Sequence, residues 1–190
     1  MTKAIFLDRD GVINKYPGDG DYVKSWEEFE LLPHVVPALK SLQSAGFQLI
    51  VVSNQAGVSK GSYSQEALDR ITQNLLKELL KSGVNAVQVY YCTHRSEDNC
   101  TCRKPKIGLV IKAIKDLKDK NIELALHESF FVGDTTRDIE TGRTAGLKTI
   151  LVFSGKEQPE NKDSWLLQPD FTARDLSEAA DIILTQAGPK

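Results

Sequence analysis

Short apolar runs alternating with stretches of helical periodicity constrain this chain more than any other feature. The runs fall at Lys3 to Leu7, Phe47 to Val52, Ala86 to Tyr91, Ser129 to Val132 and Thr149 to Phe153, with a shorter one at Phe171 to Ala173. Each is rich in residues that suit a buried strand. Between them, Val35, Val36, Leu39 and Leu42 follow Pro33 at helical spacing and stop at Gly46, while Ser64 caps a longer pattern through Leu68, Ile71, Leu75, Leu76, Leu79 and Leu80 to Gly83. Ile107 to Lys118 and Asp138 to Ala145 read as two further helices, and Asp175 caps a last one. Gly11 to Lys24 and Ser154 to Gln168 read as loops, the first with dense turn chemistry at Pro17 to Asp21. Strands joined by crossover helices pair in parallel and are covered on both faces. The expectation is an α/β, Rossmann-like parallel sheet sandwiched by helices, as one domain over residues 1–190.

Composition adds bounds. With 190 residues, 41% apolar and 26% charged, the chain can bury its own core. A net charge of −2 supplies no basic field for a nucleic acid. No apolar run is long enough to span a bilayer. A strand begins within three residues of the start and leaves no room for a secretory signal, so a cytoplasmic compartment is expected. The three cysteines all fall between Cys92 and Cys102, which is no disulfide framework.

Ligands of parallel sheets sit beyond the carboxyl ends of the strands. Polar clusters fall at three such ends: Asp8 and Asp10 after the first run, Ser53 and Asn54 after the second, Gly133 and Asp134 after the fourth. Asp8 and Asp10 point to one side of a strand end, roughly 6.6 Å apart along it, and need positive charge between them. A divalent cation with oxygen ligands meets that need, and a metal-bound carboxylate can also attack phosphorus. Asp134 is a further candidate ligand. Asp138 lies four residues on and is placed behind the ligands. Ser53 and Asn54 offer a hydroxyl, amides and backbone N–H groups to a phosphate oxygen. Arg103 and Lys104 supply positive charge that suits a phosphate.

Cys92, His94, Cys100 and Cys102 place four soft or borderline ligands within eleven positions. That set fits a closed tetrahedral zinc site, which would staple a loop poor in core residues and aim Arg103 and Lys104. His34 and His127 have no such neighbours and read as structural or surface residues.

Taken in order, Asp8-x-Asp10-Gly11-Val12, Ser53-Asn54, Lys104-Pro105 and Gly133-Asp134 with Asp138 resemble the phosphatases of the haloacid dehalogenase-like superfamily. The Cys-x-His…Cys-x-Cys-Arg-Lys-Pro loop and Ser53-Asn54-Gln55-Ala56-Gly57 are similar to the D-glycero-D-manno-heptose 1,7-bisphosphate 7-phosphatases and to the related histidinol-phosphatases. The resemblance implies that Asp8 is the nucleophile and forms an aspartyl-phosphate, and that Asp10 is the general acid and base. It implies Mg²⁺ on the Asp8 carboxylate, the Asp10 backbone carbonyl and Asp134, with Ser53 and Lys104 balancing charge on the phosphoryl group. Arg103 would help select a small phosphorylated sugar, and the loop of Asp19, Gly20, Asp21 and Tyr22 would close over it, beside Asn54 and Gln55. No large cap domain is visible, and a monomer is expected. The competing expectations are histidinol phosphate as substrate and, from another class, a non-catalytic zinc-stapled module for nucleic acid.

Overall fold

The computed structural model describes residues 1–188. Strands β1 (Ala4–Leu7), β2 (Gln48–Asn54), β3 (Gln88–Cys92), β4 (Phe130–Gly133), β5 (Lys148–Val152) and β6 (Phe171–Ala173) form one sheet in the order β3-β2-β1-β4-β5-β6. Every neighbouring pair is parallel, with Leu7 in register with Val51 on one side and Val132 on the other.

The register explains why the two central strands, β1 and β4, are apolar throughout. Ile5, Leu7, Leu49, Val51, Phe130 and Val132 share one face, packed on helices α1 (Val35–Ser44), α2 (Gln65–Lys81) and α5 (Leu176–Ala187) through Leu39, Leu75 and Ile183. Ala4, Phe6, Ile50, Val52 and Phe131 share the other, packed on Val110, Ala113 and Leu117 of α3 (Gly108–Lys118). On the β5 side, Ile139 of α4 (Thr136–Thr144) packs with Leu151 and Trp165. Burial on both faces keeps β1 and β4 apolar along their length, so their acids come only where the strands stop.

Several boundaries differ from expectation, each for a local reason. Ala86 is left-handed (φ 56°), so β3 starts only at Gln88. β2 continues through Ser53 and Asn54, which are therefore held in the ladder rather than in a turn. α4 starts at Thr136 because Thr135 and Asp138 form a reciprocal capping box, placing Asp138 in the first turn. α1 begins at Val35, after a left-handed His34 (φ 62°). Residues 154–168, expected to be loop, contain a 3₁₀ helix at Pro159–Ser164 that seats Trp165. No helix among the described residues is long and apolar enough to cross a membrane.

Chain connections run from β1 towards β2 on one side, and from β4 towards β5 on the other. The crevice lies where the strand order reverses, at the carboxyl ends of β1 and β4. Asp8 and Asp134 are the residues that follow those two strands.

Candidate active site

Asp8, Asp134 and Asp138 each bring a carboxylate oxygen within 4.8 Å of the others. Glycines make the approach possible. At Gly11 the backbone is left-handed (φ +84°), and a Cβ there would stand 2.4 Å from Asp134 Oδ2. A Cβ at Gly155 would stand 2.1 Å from the same oxygen, and one at Gly133 would stand 2.1 Å from Asp138 Cβ. The backbone thus closes round the acids from three sides.

Lys104 enters this cluster almost fully buried. Its Nζ lies 3.0 Å from Asp8 Oδ1 and 2.6 Å from Asp138 Oδ1. Asn54 fixes the lysine's backbone: its amide donates to Lys104 O at 3.2 Å, and its Oδ1 accepts from Lys104 N at 3.0 Å. Thr135 N and Oγ1 donate to Asp138 Oδ2, which leaves Oδ1 to the lysine. Lys156 N donates to Asp134 Oδ2 at 2.9 Å.

One lysine cannot neutralise three acids. Burial pushes the Asp8 carboxyl up to about 6, with Lys104 opposing and Asp138 and Asp10 adding to the rise. Burial, with Asp8 and Asp138 close by, also holds Asp134 well above the usual carboxylate range. The lysine responds in the opposite sense. Burial disfavours its charge, but Asp138 and Asp8 outweigh that and raise its pKa. Excess negative charge, oxygen donors and tight spacing together fit a divalent cation.

Asp10 sits apart from that group. Its oxygens accept from Arg9, Asn14 and Gln55, and Arg9 is fully buried. Gln55, expected to touch substrate, is also fully buried: it donates to Asp10 Oδ2 at 2.9 Å and accepts from Tyr63 at 2.6 Å. Both ends of its amide are used, so it lies behind the site rather than in it. Asn54 reaches the cavity edge, but both its amide atoms are engaged by the Lys104 backbone.

A cavity of about 320 Å³ opens over the acids, bordered by Ser53 and Lys104 below and by the loop of Asp19, Gly20, Asp21 and Tyr22 above. Asp19 pairs with Lys156 across the mouth and accepts from Tyr16 at 2.6 Å. The hydrogen bonds from Lys156 and Tyr16 hold the Asp19 carboxyl below its usual range. Arg103 borders the same cavity and donates to His94 O at 3.3 Å. Sequence reasoning missed Arg9, Tyr16 and Lys156. Lys156 follows from the rule that ligands sit beyond strand ends, because Ser154-Gly155-Lys156 comes just after the tip of β5. Arg9 gave no signal, since an arginine between two acids reads as solvated.

The second cluster lies at the end of β3. Cys92, His94, Cys100 and Cys102 are gathered about one point: Sγ–Sγ separations are 3.1, 3.4 and 3.7 Å, and His94 Nδ1 lies 3.2 and 3.6 Å from Cys102 and Cys92. All three cysteines are free. Bonds near 2.3 Å to a tetrahedral ion would set sulfurs roughly 3.8 Å apart, so the donor set fits zinc after a small expansion. His34 is exposed and His127 lies beside Glu128 at 3.7 Å, neither near a site.

A doubly wound parallel sheet with an acid at the tip of β1, a lysine from the far side of β2 and paired acids after β4 defines the haloacid dehalogenase-like phosphatases. The chain belongs to the polynucleotide kinase 3 phosphatase family, which matches residues 3–185. It is 36% identical over 171 residues to a D-glycero-β-D-manno-heptose-1,7-bisphosphate 7-phosphatase of Helicobacter pylori, covering 90% of this chain and 94% of the relative. It is 40% identical over 162 residues to the enzyme of the same name from Haemophilus ducreyi, covering 81% and 85%. Its structure is similar to that of the D,D-heptose 1,7-bisphosphate phosphatase of B. bronchiseptica in complex with magnesium and phosphate. For that pair the TM-score is 0.84 and the identity 29%, covering 97% of this chain and 99% of the other.

Proposed function

We propose that this protein removes the 7-phosphate of D-glycero-D-manno-heptose 1,7-bisphosphate by way of an aspartyl-phosphate on Asp8. One observation carries the reading: a buried lysine, 3.0 Å from Asp8 and 2.6 Å from Asp138, sits among three acids whose charge it cannot balance alone. That arrangement suits a site built for a cation and a phosphoryl group. The named activity of the relatives supplies the substrate.

An Asp8 oxygen bonds to phosphorus as the bond from phosphorus to the sugar oxygen breaks. The departing oxygen keeps the electron pair and takes a proton from Asp10. In the second step, Asp10 takes a proton from water as the water oxygen bonds to phosphorus, and Asp8 is released with inorganic phosphate. Lys104 and the Ser53 hydroxyl donate to the phosphoryl oxygens throughout. Asp138 orients Lys104, and Asn54 holds its backbone. The Asp8 and Asp134 carboxylates and the Asp10 backbone carbonyl would hold Mg²⁺, which supplies positive charge to the phosphoryl oxygens when bound. Cys92, His94, Cys100 and Cys102 would hold Zn²⁺, which fixes the loop leading into Arg103 and Lys104. Asp19 to Tyr22, with Lys156, close the mouth, and Arg103 faces the part of the substrate that is not cleaved. The free thiols fit a reducing cytoplasm, and the chain is taken to act as a monomer.

Phosphate release measured with Mg²⁺ and with EDTA tests the reading. The substrates are both anomers of the heptose bisphosphate, fructose 1,6-bisphosphate, histidinol phosphate and a 3′-phosphorylated oligonucleotide. The expected result is a metal-dependent kcat/KM highest for the β-anomer, after the relatives named above. Preference for histidinol phosphate or the oligonucleotide, or turnover unchanged by EDTA, would overturn it.

A further inference from the structure

The largest fully buried side chain is a charged one, Arg9, and it stands directly between Asp8 and Asp10 in sequence. Its guanidinium lies over two aromatic rings, 5.8 Å from the Phe29 centroid and 5.7 Å from that of Tyr91. Its Nε donates to Asp10 Oδ1 at 3.1 Å, and its Nη2 donates to Oδ1 at 2.9 Å and to Oδ2 at 3.1 Å. Asn14 donates to Oδ1 at 2.9 Å, and Gln55 donates to Oδ2 at 2.9 Å. Asp10 is therefore held from three directions, with one edge open to the cavity above Asp8.

An isolated buried guanidinium is costly, and a buried ion pair is often no more stable than packed apolar residues. Arg9 Nη1 has no hydrogen-bond partner among the described residues, and Asn14 Oδ1 is likewise buried and unpartnered. This arrangement is poorly explained by stability alone. Its geometry does serve one purpose well. A planar fork on a planar carboxylate fixes both the position and the plane of the acid, and the two rings stop the fork from turning. A proton can be passed to a leaving oxygen only from a carboxyl held within hydrogen-bond reach and correctly aimed.

We infer that Arg9, with Asn14, is a positioning residue for proton transfer by Asp10: it aims the carboxyl at the leaving-group oxygen and touches no substrate itself. The inference rests on the proposed role of Asp10. It also gives the two buried cations of the site separate tasks. Lys104 serves Asp8 and the phosphoryl group, and the Arg9 guanidinium serves Asp10, while the Arg9 backbone N–H donates to Asp8 Oδ1 at 2.7 Å. Lysine in place of Arg9 keeps the charge but has one point of contact where the guanidinium has a fork.

The test separates bond breaking that needs a proton from bond breaking that does not. Rapid-quench single turnovers are run with a sugar phosphate, whose alkoxide needs an acid, and with p-nitrophenyl phosphate, whose phenolate leaves without one. Wild type, Arg9→Lys, Asn14→Ala and Asp10→Asn are compared, and folding is checked by circular dichroism. The expected result for Arg9→Lys is a loss of about 100-fold in phosphoenzyme formation from the sugar phosphate and less than about 5-fold from the aryl phosphate, within the range that proton transfer contributes. Asn14→Ala shows the same selectivity to a smaller extent, and carries the test if Arg9→Lys does not fold. Equal losses on both substrates, or no loss, in a folded variant overturn the inference. If Asp10→Asn itself loses equally on both, the assignment of acid–base chemistry to Asp10 is what fails.

Discussion

Lys104 Nζ lies 3.0 Å from Asp8 Oδ1, with 3% of the lysine side chain exposed. The pair joins a residue at the tip of β1 to one just beyond the cysteine loop that follows β3, across the carboxyl end of β2. The lysine is the main positive charge that faces Asp8, and Asp138 is its other partner at 2.6 Å.

Removing that charge should be felt twice. Lys104→Met leaves Asp8 and Asp138 buried without a counter-charge, and loss of one partner from a buried pair costs about 3–5 kcal/mol. Urea unfolding in EDTA should show a loss of that order, and Mg²⁺ should recover part of it. Turnover should fall by at least about 100-fold even at saturating substrate, because an electrostatic contact made in the transition state is gone. A variant with normal kcat would show that the lysine serves stability only.

Asn54 offers a finer test of the same contact. Its amide clamps the Lys104 backbone on both sides, and the amide itself is not free to bind a phosphate. Asn54→Leu should lower kcat by about 10-fold with a smaller effect on KM, since Asn54 touches no substrate itself and its loss shifts Lys104, whose contact with the phosphoryl oxygens counts most in the transition state. A rise in KM at constant kcat would return Asn54 to direct substrate contact.

The residues that could be read from the sequence are those fixed by a pattern with a physical cause. An apolar run that ends abruptly marks a strand tip, and Asp8, Ser53 and Asp134 follow from that rule. Four metal-type ligands in eleven positions point to Cys92, His94, Cys100 and Cys102 in the same way. What stayed hidden depends on tertiary packing. Gln55 reads as a polar residue near a strand tip, yet the strand runs on through Asn54 and Tyr63 folds over Gln55 and buries it. Arg9 reads as a solvated charge because nothing local announces that Phe29 and Tyr91 will meet around it. Lys156 joins the site only because the chain after β5 turns back under Asp134.

Close backbone approach gives a prediction about metal binding. A methyl group at position 155 would stand 2.1 Å from Asp134 Oδ2 and 2.6 Å from its Cβ. Gly155→Ala should displace the carboxylate and weaken its hydrogen bond from Lys156. Disturbing the support of a ligand costs roughly 10–100-fold in metal affinity. The Mg²⁺ concentration for half-maximal activity should rise by about that factor, with activity largely recovered at high Mg²⁺. An unchanged Mg²⁺ requirement would remove Asp134 from the metal site.

The cysteine cluster predicts a separable dependence. Cys100→Ser should abolish tightly bound zinc, measured by elemental analysis, and lower the thermal midpoint, because the free energy of binding is linked to the fold of the loop. kcat/KM should fall, while the Mg²⁺ requirement of the remaining activity should stay unchanged, since none of the four ligands touches Asp8 or Asp134. Zinc retention in this variant, or wild-type activity without zinc, would contradict the role given to the loop.

Asp8 predicts an unusual pH dependence in the metal-free protein. The carboxyl titrates near 3.8 when unperturbed and at about 6 in the fold, raised first by burial. The folded state therefore binds the proton more tightly than the unfolded chain. The favourable contribution is complete below about pH 3.8 and is lost as pH rises through about 6. A shift of this size corresponds to at most about 3 kcal/mol, shared with the neighbouring Asp134, whose carboxyl burial also raises. Asp8→Asn cannot ionise and escapes the loss. In EDTA the variant should match wild type near pH 4 and exceed it in stability near pH 8, by urea unfolding at each pH. Added Mg²⁺ should close the gap at pH 8 by stabilising wild type more than the variant. The same variant should be inactive at every pH, having no carboxylate to take the phosphoryl group, so a folded Asp8→Asn protein that still turns over would exclude the aspartyl-phosphate route.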